Sequence, residues 1–163
     1  MFFNSELEQA MEHFSKTGGF LSVKSGGKTN TMTVGWGFVG FMWNRPYFIT
    51  VVRPQRYTTE LLKTADSFTI SVPFGSMLEE LKICGSKSGR DIDKSGIVKF
   101  MPSKKVESPI VDGCDVYYEC KIKYAEKLDG EALPEDVKNT FYKGDFHDVY
   151  FGEIVDCYGC NEG

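Results

Sequence analysis

Leu7, Ala10, Met11 and Phe14 recur at i, i+3, i+4 and i+7, a stripe that predicts an amphipathic helix near the start of the chain. Ser5 and Glu8 form a capping box at its head, and Gly18 is placed to end it. Phe20 to Lys24, the turn-rich Ser25-Gly26-Gly27-Lys28 and a long segment from Asn30 to Gly40 then read as a hairpin. Tyr47 to Val52 has the β-branched enrichment of a buried strand and stops at Arg53-Pro54. Thr58 or Thr59 is expected to cap a short helix bearing Leu61, Leu62 and Ala65. The alternating Phe68, Ile70 and Val72 follow as a strand. Ser76 and Glu79 make a second capping box, for a helix with Met77, Leu81 and Cys84 on one side and Gly85 at its close.

The clearest period of two sets Val116, Tyr118, Cys120, Ile122 and Tyr124 against Asp115, Tyr117, Glu119, Lys121 and Lys123, predicting a strand with one dry face. Pro134 at a first helical position, followed by Glu135 and Asp136, introduces a brief helix before a last strand at about residues 148–158. About six or seven strands joined by short connections argue for an antiparallel sheet that curls or closes, with a few helices outside it. The segment "GWGFVG" at residues 35–40 fits the dinucleotide pattern G-x-G-x-x-G. Phe41-Met42-Trp43-Asn44-Arg45-Pro46 follows it, and this is no helix, so the doubly wound reading fails. Glycines at alternate positions 35 and 37 instead mark a strand that bulges or admits a close neighbour.

The length of 163 residues suits one domain, 1–163, and the 41% hydrophobic and 26% charged residues are those of an ordinary globule. There is no apolar run near the roughly 20 residues of a membrane helix, so no membrane partner is expected. The first residues lack a signal-peptide pattern, giving a cytoplasmic expectation. A net charge of -4 argues against nucleic acid as partner. Five cysteines in such a chain are expected as free thiols. Cys157 and Cys160 have C-x-x-C spacing, yet no second ligand pair completes a zinc site, and no metal is expected.

His13 and His147 are the two histidines, and the hydrolase, zinc-protease and phosphate-loop signatures are absent. What remains is a set of polar, small and aromatic residues suited to a flat anionic molecule. Asn30-Thr31-Met32-Thr33-Val34-Gly35-Trp36 offers amides and hydroxyls for the rim of a ring and an indole for its face; a threonine-rich strand can also be plain sheet. Arg53, Arg56 and Thr58 precede a helix start, where a phosphate is favoured, although Arg56 could equally face water. Gly85-Ser86-Lys87-Ser88-Gly89-Arg90, with Lys94 behind, is a second cationic loop or a simple solvated one.

The stretches "NTMTVGWGFVGFMWNRPYFITVVRPQRYT", "CGSKSGRDIDK" and "GDFHDVYFGEIV", in this order, resemble the flavin reductase-like family and especially its flavoredoxin branch. The resemblance implies a mainly β (α+β) fold, an antiparallel Greek-key split β-barrel with a few peripheral helices, binding FMN non-covalently as a homodimer. It implies that Asn30, Thr31, Met32 and Thr33 line the ring edge and that Trp36 packs near it. Arg56, Thr58 and Lys94 would hold the phosphate, Ser88 would support that loop, and His147 would approach the flavin or the incoming donor. The implied activity is an oxidoreductase that takes a hydride from NADH or NADPH and passes electrons to a flavin or other acceptor. The alternative is an FMN electron carrier serving a protein partner, in which nicotinamide is not turned over.

Overall fold

The computed structural model describes residues 6–160. Helix α1 (Leu7–Thr17) buries Ala10 and Phe14, and Gly18, at φ 87°, ends it. A side chain at Gly18 would meet the Val34 carbonyl, so glycine is required both for the turn and for the contact. Ser5 of the expected capping box lies outside the described residues; Glu6 holds the N-cap position without a side-chain cap.

Strands β1 (Gly19–Ser25) and β2 (Lys28–Val34) form the first hairpin, closed by Gly26 and Gly27 at φ 57° and 76°. The strand expected to run to Gly40 is interrupted at Gly35-Trp36. Strand β3 (Gly37–Met42) leaves β2 and pairs with β4 (Arg45–Val52) through a turn at Trp43-Asn44. Gly37 allows this: a β-carbon there would lie 2.5 Å from the Ile49 carbonyl oxygen.

Helix α2 (Tyr57–Leu62) has Arg56 at its N-cap, and both threonines expected to cap it sit inside its first turn. Their hydroxyls serve tertiary bonds instead: Thr59 donates to the Arg53 carbonyl, and Thr58 accepts from Asn30. Strand β5 (Ser67–Val72) and helix α3 (Leu78–Ser86) follow. Left-handed Met77, at φ 56°, replaces the expected Ser76 cap, and Gly85 falls within the helix.

Short strands β6 (Phe100–Met101) and β7 (Ile110–Val111), which periodicity does not reveal, pair with each other. Strand β8 (Val116–Lys127), helix α4 (Glu135–Phe141) and strand β9 (Asp148–Gly159) complete the chain. Pro134 is the N-cap of α4, one position before the expected first helical residue.

The main sheet runs β2-β1-β5-β8-β9-β4-β3, antiparallel at every junction and unclosed between its two edge strands: a split barrel with helices around it. Leu21, Val23, Phe48, Phe68, Ile70, Tyr118 and Cys120 fill its interior, with Phe14 edge-on to Phe48 as an end plug. A second core lies outside the sheet, where Phe20, Leu81, Cys84, Val111 and Tyr117 pack together.

That outer core explains why β8 departs from a single dry face. Tyr117 and Glu119 are buried as well as their neighbours, because residues 102–111 cover them. Glu119 is fully enclosed and accepts bonds from the Lys104 N–H at 2.7 Å, the Lys105 N–H at 2.6 Å and the Tyr158 hydroxyl at 2.6 Å. Among the described residues no helix is long and apolar enough to cross a membrane.

Candidate functional site

The turn closing β1 on β2 fixes which groups of β2 face outward. A two-residue turn makes Ser25 and Lys28 a hydrogen-bonded pair, so the ladder bonds recur at Val23/Asn30, Leu21/Met32 and Gly19/Val34. The N–H and C=O of Thr31 and Thr33 therefore point off the sheet edge. Their hydroxyls do not point with them. The Thr31 hydroxyl donates to the Leu21 carbonyl at 3.0 Å, and the Thr33 hydroxyl donates to the Leu81 carbonyl at 2.5 Å.

The outward Thr31 carbonyl accepts from Lys94 Nζ at 2.7 Å, and the Cys84 carbonyl at the end of α3 accepts from the same ammonium at 3.0 Å. Arg56 completes the cluster, donating to Gly85 O at 2.9 Å and to Cys84 O at 3.3 Å. Lys94 is 3% exposed, and among the described residues neither cation is in an ion pair. Burial, reinforced by the neighbouring Arg56 charge, brings the Lys94 ammonium down to about 8; burial also lowers the Arg56 guanidinium. Backbone carbonyls satisfy donors but do not neutralise charge, so the pair forms a positively charged pocket.

This pocket is a cavity of about 190 Å3 lined by Asn30, Arg56, Thr58, Ser88, Gly89 and Lys94, with Arg90 at its rim. The Asn30 amide donates to the Thr58 hydroxyl at 2.9 Å, leaving its carbonyl oxygen packed against Gly89. A β-carbon at Gly89 would sit 2.3 Å from that oxygen and 2.6 Å from the Tyr57 ring, so the loop can approach only as glycine. Ser88 turns the loop by accepting from the Arg90 N–H at 3.1 Å. Arg90 lies over Tyr57 and is bonded to Glu60 and to the Gln55 carbonyl, which braces the loop against α2.

Arg56 also lines a second cavity, of about 290 Å3, with Met32, Thr33, Val34, Trp36, Val51 and His147. Arg56 thus joins a cationic end to a wider end in one cleft. The Trp36 backbone is pinned by the Thr50 hydroxyl, while its indole is 49% exposed and stands 5.3 Å from the His147 ring and 5.4 Å from Phe141. His147 is buried, and burial together with the Arg53 charge holds it down to about 4, so it is neutral at ordinary pH. Its Nδ1 is 2.6 Å from the Tyr142 hydroxyl.

Of the residues picked out from sequence, Asn30, Arg56, Thr58, Ser88 and Lys94 meet in the cationic cavity, and Met32, Thr33, Trp36 and His147 meet in the wider one. Thr31 is fully buried in the sheet and lines neither; it contributes its carbonyl to Lys94. Arg53 is turned away from the anion pocket. It bonds Asp145 at 3.0 Å and the Phe141 carbonyl at 2.8 Å, and so ties down the segment that carries His147. Tyr142, Gln55 and Tyr57 escaped sequence reasoning because nothing in their spacing separates them from surface residues. Gly89 and Arg90 carried a signal, the glycine-flexed cationic loop. Among the described residues no group of three or more His, Cys, Asp or Glu side chains is arranged to hold a metal, and Cys84, Cys114, Cys120 and Cys160 are free thiols.

Residues 11–163 match the flavin reductase like domain. The chain belongs to the flavin reductase-like family. A protein of Pyrococcus abyssi is 32% identical over 98 residues, which are 60% of this chain and 56% of that one, so the match spans little more than half of the relative. Among solved structures, a flavoredoxin from Methanosarcina acetivorans superposes with a TM-score of 0.69 at 25% identity, covering 87% of this chain and 67% of that one. An FMN-binding protein from Thermus thermophilus with bound p-hydroxybenzaldehyde gives a TM-score of 0.69 at 25% identity, covering 87% of this chain and 70% of that one. Both cavities of the cleft are lined by residues inside the matched range.

Proposed function

We propose that this flavin reductase-like protein binds FMN in the cleft and acts as an oxidoreductase, taking a hydride from NADH or NADPH and delivering electrons to an acceptor. The observation that carries the reading is the pair of buried Lys94 and half-buried Arg56, which has no carboxylate partner among the described residues and opens through Arg56 into a wider cavity walled by Met32, Val34, Val51 and Trp36. Two desolvated cations need an anion, and a phosphate joined to a flat ring system supplies one in the right place. The relatives named as a flavoredoxin and an FMN-binding protein support the choice of FMN.

In this reading Lys94, Arg56 and Ser88 hold the phosphate, and Asn30 with Thr58 shapes the passage between the two ends. The chemistry that FMN supplies when bound is acceptance of a hydride and release of electrons to an acceptor. The protein supplies orientation and electrostatics. The outward N–H of Thr33, on the wall of the wider cavity, would donate to a polar atom at the ring edge, where negative charge gathers on reduction. The hydroxyls of Thr31 and Thr33, already committed to carbonyls, would not. Trp36 and His147 wall the space above, where a nicotinamide would stack and where water must be excluded.

Phe38, Trp43 and Tyr124 form an exposed apolar face, 44% to 59% accessible, beside a groove of about 620 Å3 that shares Trp36 with the cleft. We propose that the full chain, 1–163, is one FMN-binding domain whose second copy covers this face in a homodimer. A second reading, an FMN electron carrier serving a protein partner, is favoured by the flavoredoxin relative. Anaerobic visible spectroscopy separates the two. FMN uptake followed by bleaching with NADH or NADPH supports the reductase, uptake without bleaching by either supports the carrier, and no uptake overturns both.

A further inference from the structure

His147 is buried on the wall of the wider cavity, and the half-buried Tyr142 holds it from behind. Arg53 lies 4.8 Å over the Tyr142 ring and bonds the carbonyl of Phe141 and the carboxylate of Asp145, fixing the loop on both sides of the tyrosine. Tyr142 Oη and His147 Nδ1 are 2.6 Å apart. That separation lies below the roughly 2.7 to 3.2 Å of N–H···O bonds, which favours the hydroxyl as the donor. Burial raises the Tyr142 hydroxyl, so it keeps its proton, and the imidazole is held neutral. With the tyrosine as donor and Nδ1 as acceptor, the single imidazole proton sits on Nε2. Nε2 has no partner among the described residues and is not sealed from solvent, on a ring that lines the cavity beside Trp36.

We propose that Tyr142 is a positioning residue that fixes His147 as the Nε2–H tautomer, so that the cavity wall presents a neutral hydrogen-bond donor for a carbonyl oxygen. The ligand class rests on the flavin reading above; the tautomer does not. A neutral N–H recognises a carboxamide or ketone oxygen without demanding an anion, and it neither gives up nor takes a proton in doing so. Two sources carry that oxygen: the carboxamide of a nicotinamide donor, and a small carbonyl compound acting as electron acceptor.

The chain has two histidines, so long-range proton–nitrogen correlation spectra of the 15N-labelled protein resolve the tautomer of each, with His147→Gln giving the assignment. The wild type is expected to show His147 protonated on Nε2 with or without FMN. Tyr142→Phe keeps the ring contacts to Arg53 and Phe146 and removes only the hydroxyl. It is expected to move His147 to a mixture of tautomers and to slow flavin reduction by NADH about tenfold, the loss of one well-placed hydrogen bond. Adding NAD+ to the FMN-loaded wild type, and p-hydroxybenzaldehyde in a separate titration, identifies the source of the oxygen by which of them shifts the Nε2 resonance.

An Nδ1–H imidazole in the wild type overturns the proposal, even if the variant fails to fold. So does an unchanged tautomer in Tyr142→Phe, or an Nε2 resonance that neither probe moves. Failure of the wild type to take up FMN while His147 stays protonated on Nε2 would remove the flavin reading and leave the tautomer assignment standing.

Discussion

Replacing Lys94 by methionine keeps the length of the side chain and removes its charge. Nζ spends two of its three protons on the carbonyls of Thr31 and Cys84, at 2.7 and 3.0 Å, leaving one for a ligand in the cationic cavity. A hydrogen bond to a charged group contributes about 1.5 to 3 kcal/mol, so Lys94→Met should weaken FMN by about 10- to 150-fold. The assay is a fluorescence titration of apoprotein with FMN, and in parallel with riboflavin, which has the ring and no phosphate. Riboflavin affinity should be the same in wild type and variant, because the ring end of the cleft does not include Lys94. With the ammonium near 8 in the free protein, wild-type FMN affinity should also fall as pH rises through 8, where Lys94 must take up a proton to bind. Riboflavin should show no such slope, and the variant should lose it. An FMN affinity within twofold of wild type, or an equal loss for riboflavin, would refute the reasoning.

Gly89→Ala drives a β-carbon into Asn30 and Tyr57, and overpacking of this kind costs about 1 to 3 kcal/mol; FMN affinity should drop more than tenfold, with a lower Tm by calorimetry. His147 is held down to about 4 by burial and by Arg53, against the opposing charges of Asp145 and Asp148, while the unfolded chain titrates near 6.5. Its contribution to stability is thus complete above about 6.5 and is lost as pH falls toward 4, and His147→Gln should flatten that part of the urea-midpoint profile. Phe38→Glu places a charge on the exposed apolar face and should shift the protein from dimer to monomer in sedimentation velocity, whereas an unchanged sedimentation coefficient would count against that interface.

The periodic parts of the chain were readable because burial on one face writes itself into local spacing: Leu7 to Phe14, Phe68 to Val72 and Val116 to Cys120 are examples. Glu119 shows where that stops. It sits on the nominally polar face of its strand, yet residues 102–111 fold over it and offer two N–H groups, a contact that joins positions far apart in sequence. The break at Gly35-Trp36 was signalled by its glycines, but its purpose, to let β3 press against β4, needed the partner strand. The cap expected for α2 failed because other bonds outcompeted the local one: the Thr58 and Thr59 hydroxyls are used elsewhere.

At the site, resemblance singled out Lys94, since a lysine in a Gly/Ser loop otherwise reads as solvated. Its burial under two carbonyls comes only from the meeting of β2, α3 and the 3-10 turn Lys94–Gly96. The Thr31 and Thr33 side chains looked like ligand groups because hydroxyls are conspicuous in a sequence. The strand register instead turns the hydroxyls to carbonyls and leaves the backbone N–H groups facing out.

A crystal structure of the protein grown with FMN tests the central claim most directly. The account predicts the phosphate between Lys94 Nζ and the Arg56 guanidinium, with the ring lying along residues 31–34 beneath Trp36. FMN bound elsewhere, or a cleft that stays vacant at saturating FMN, would contradict it.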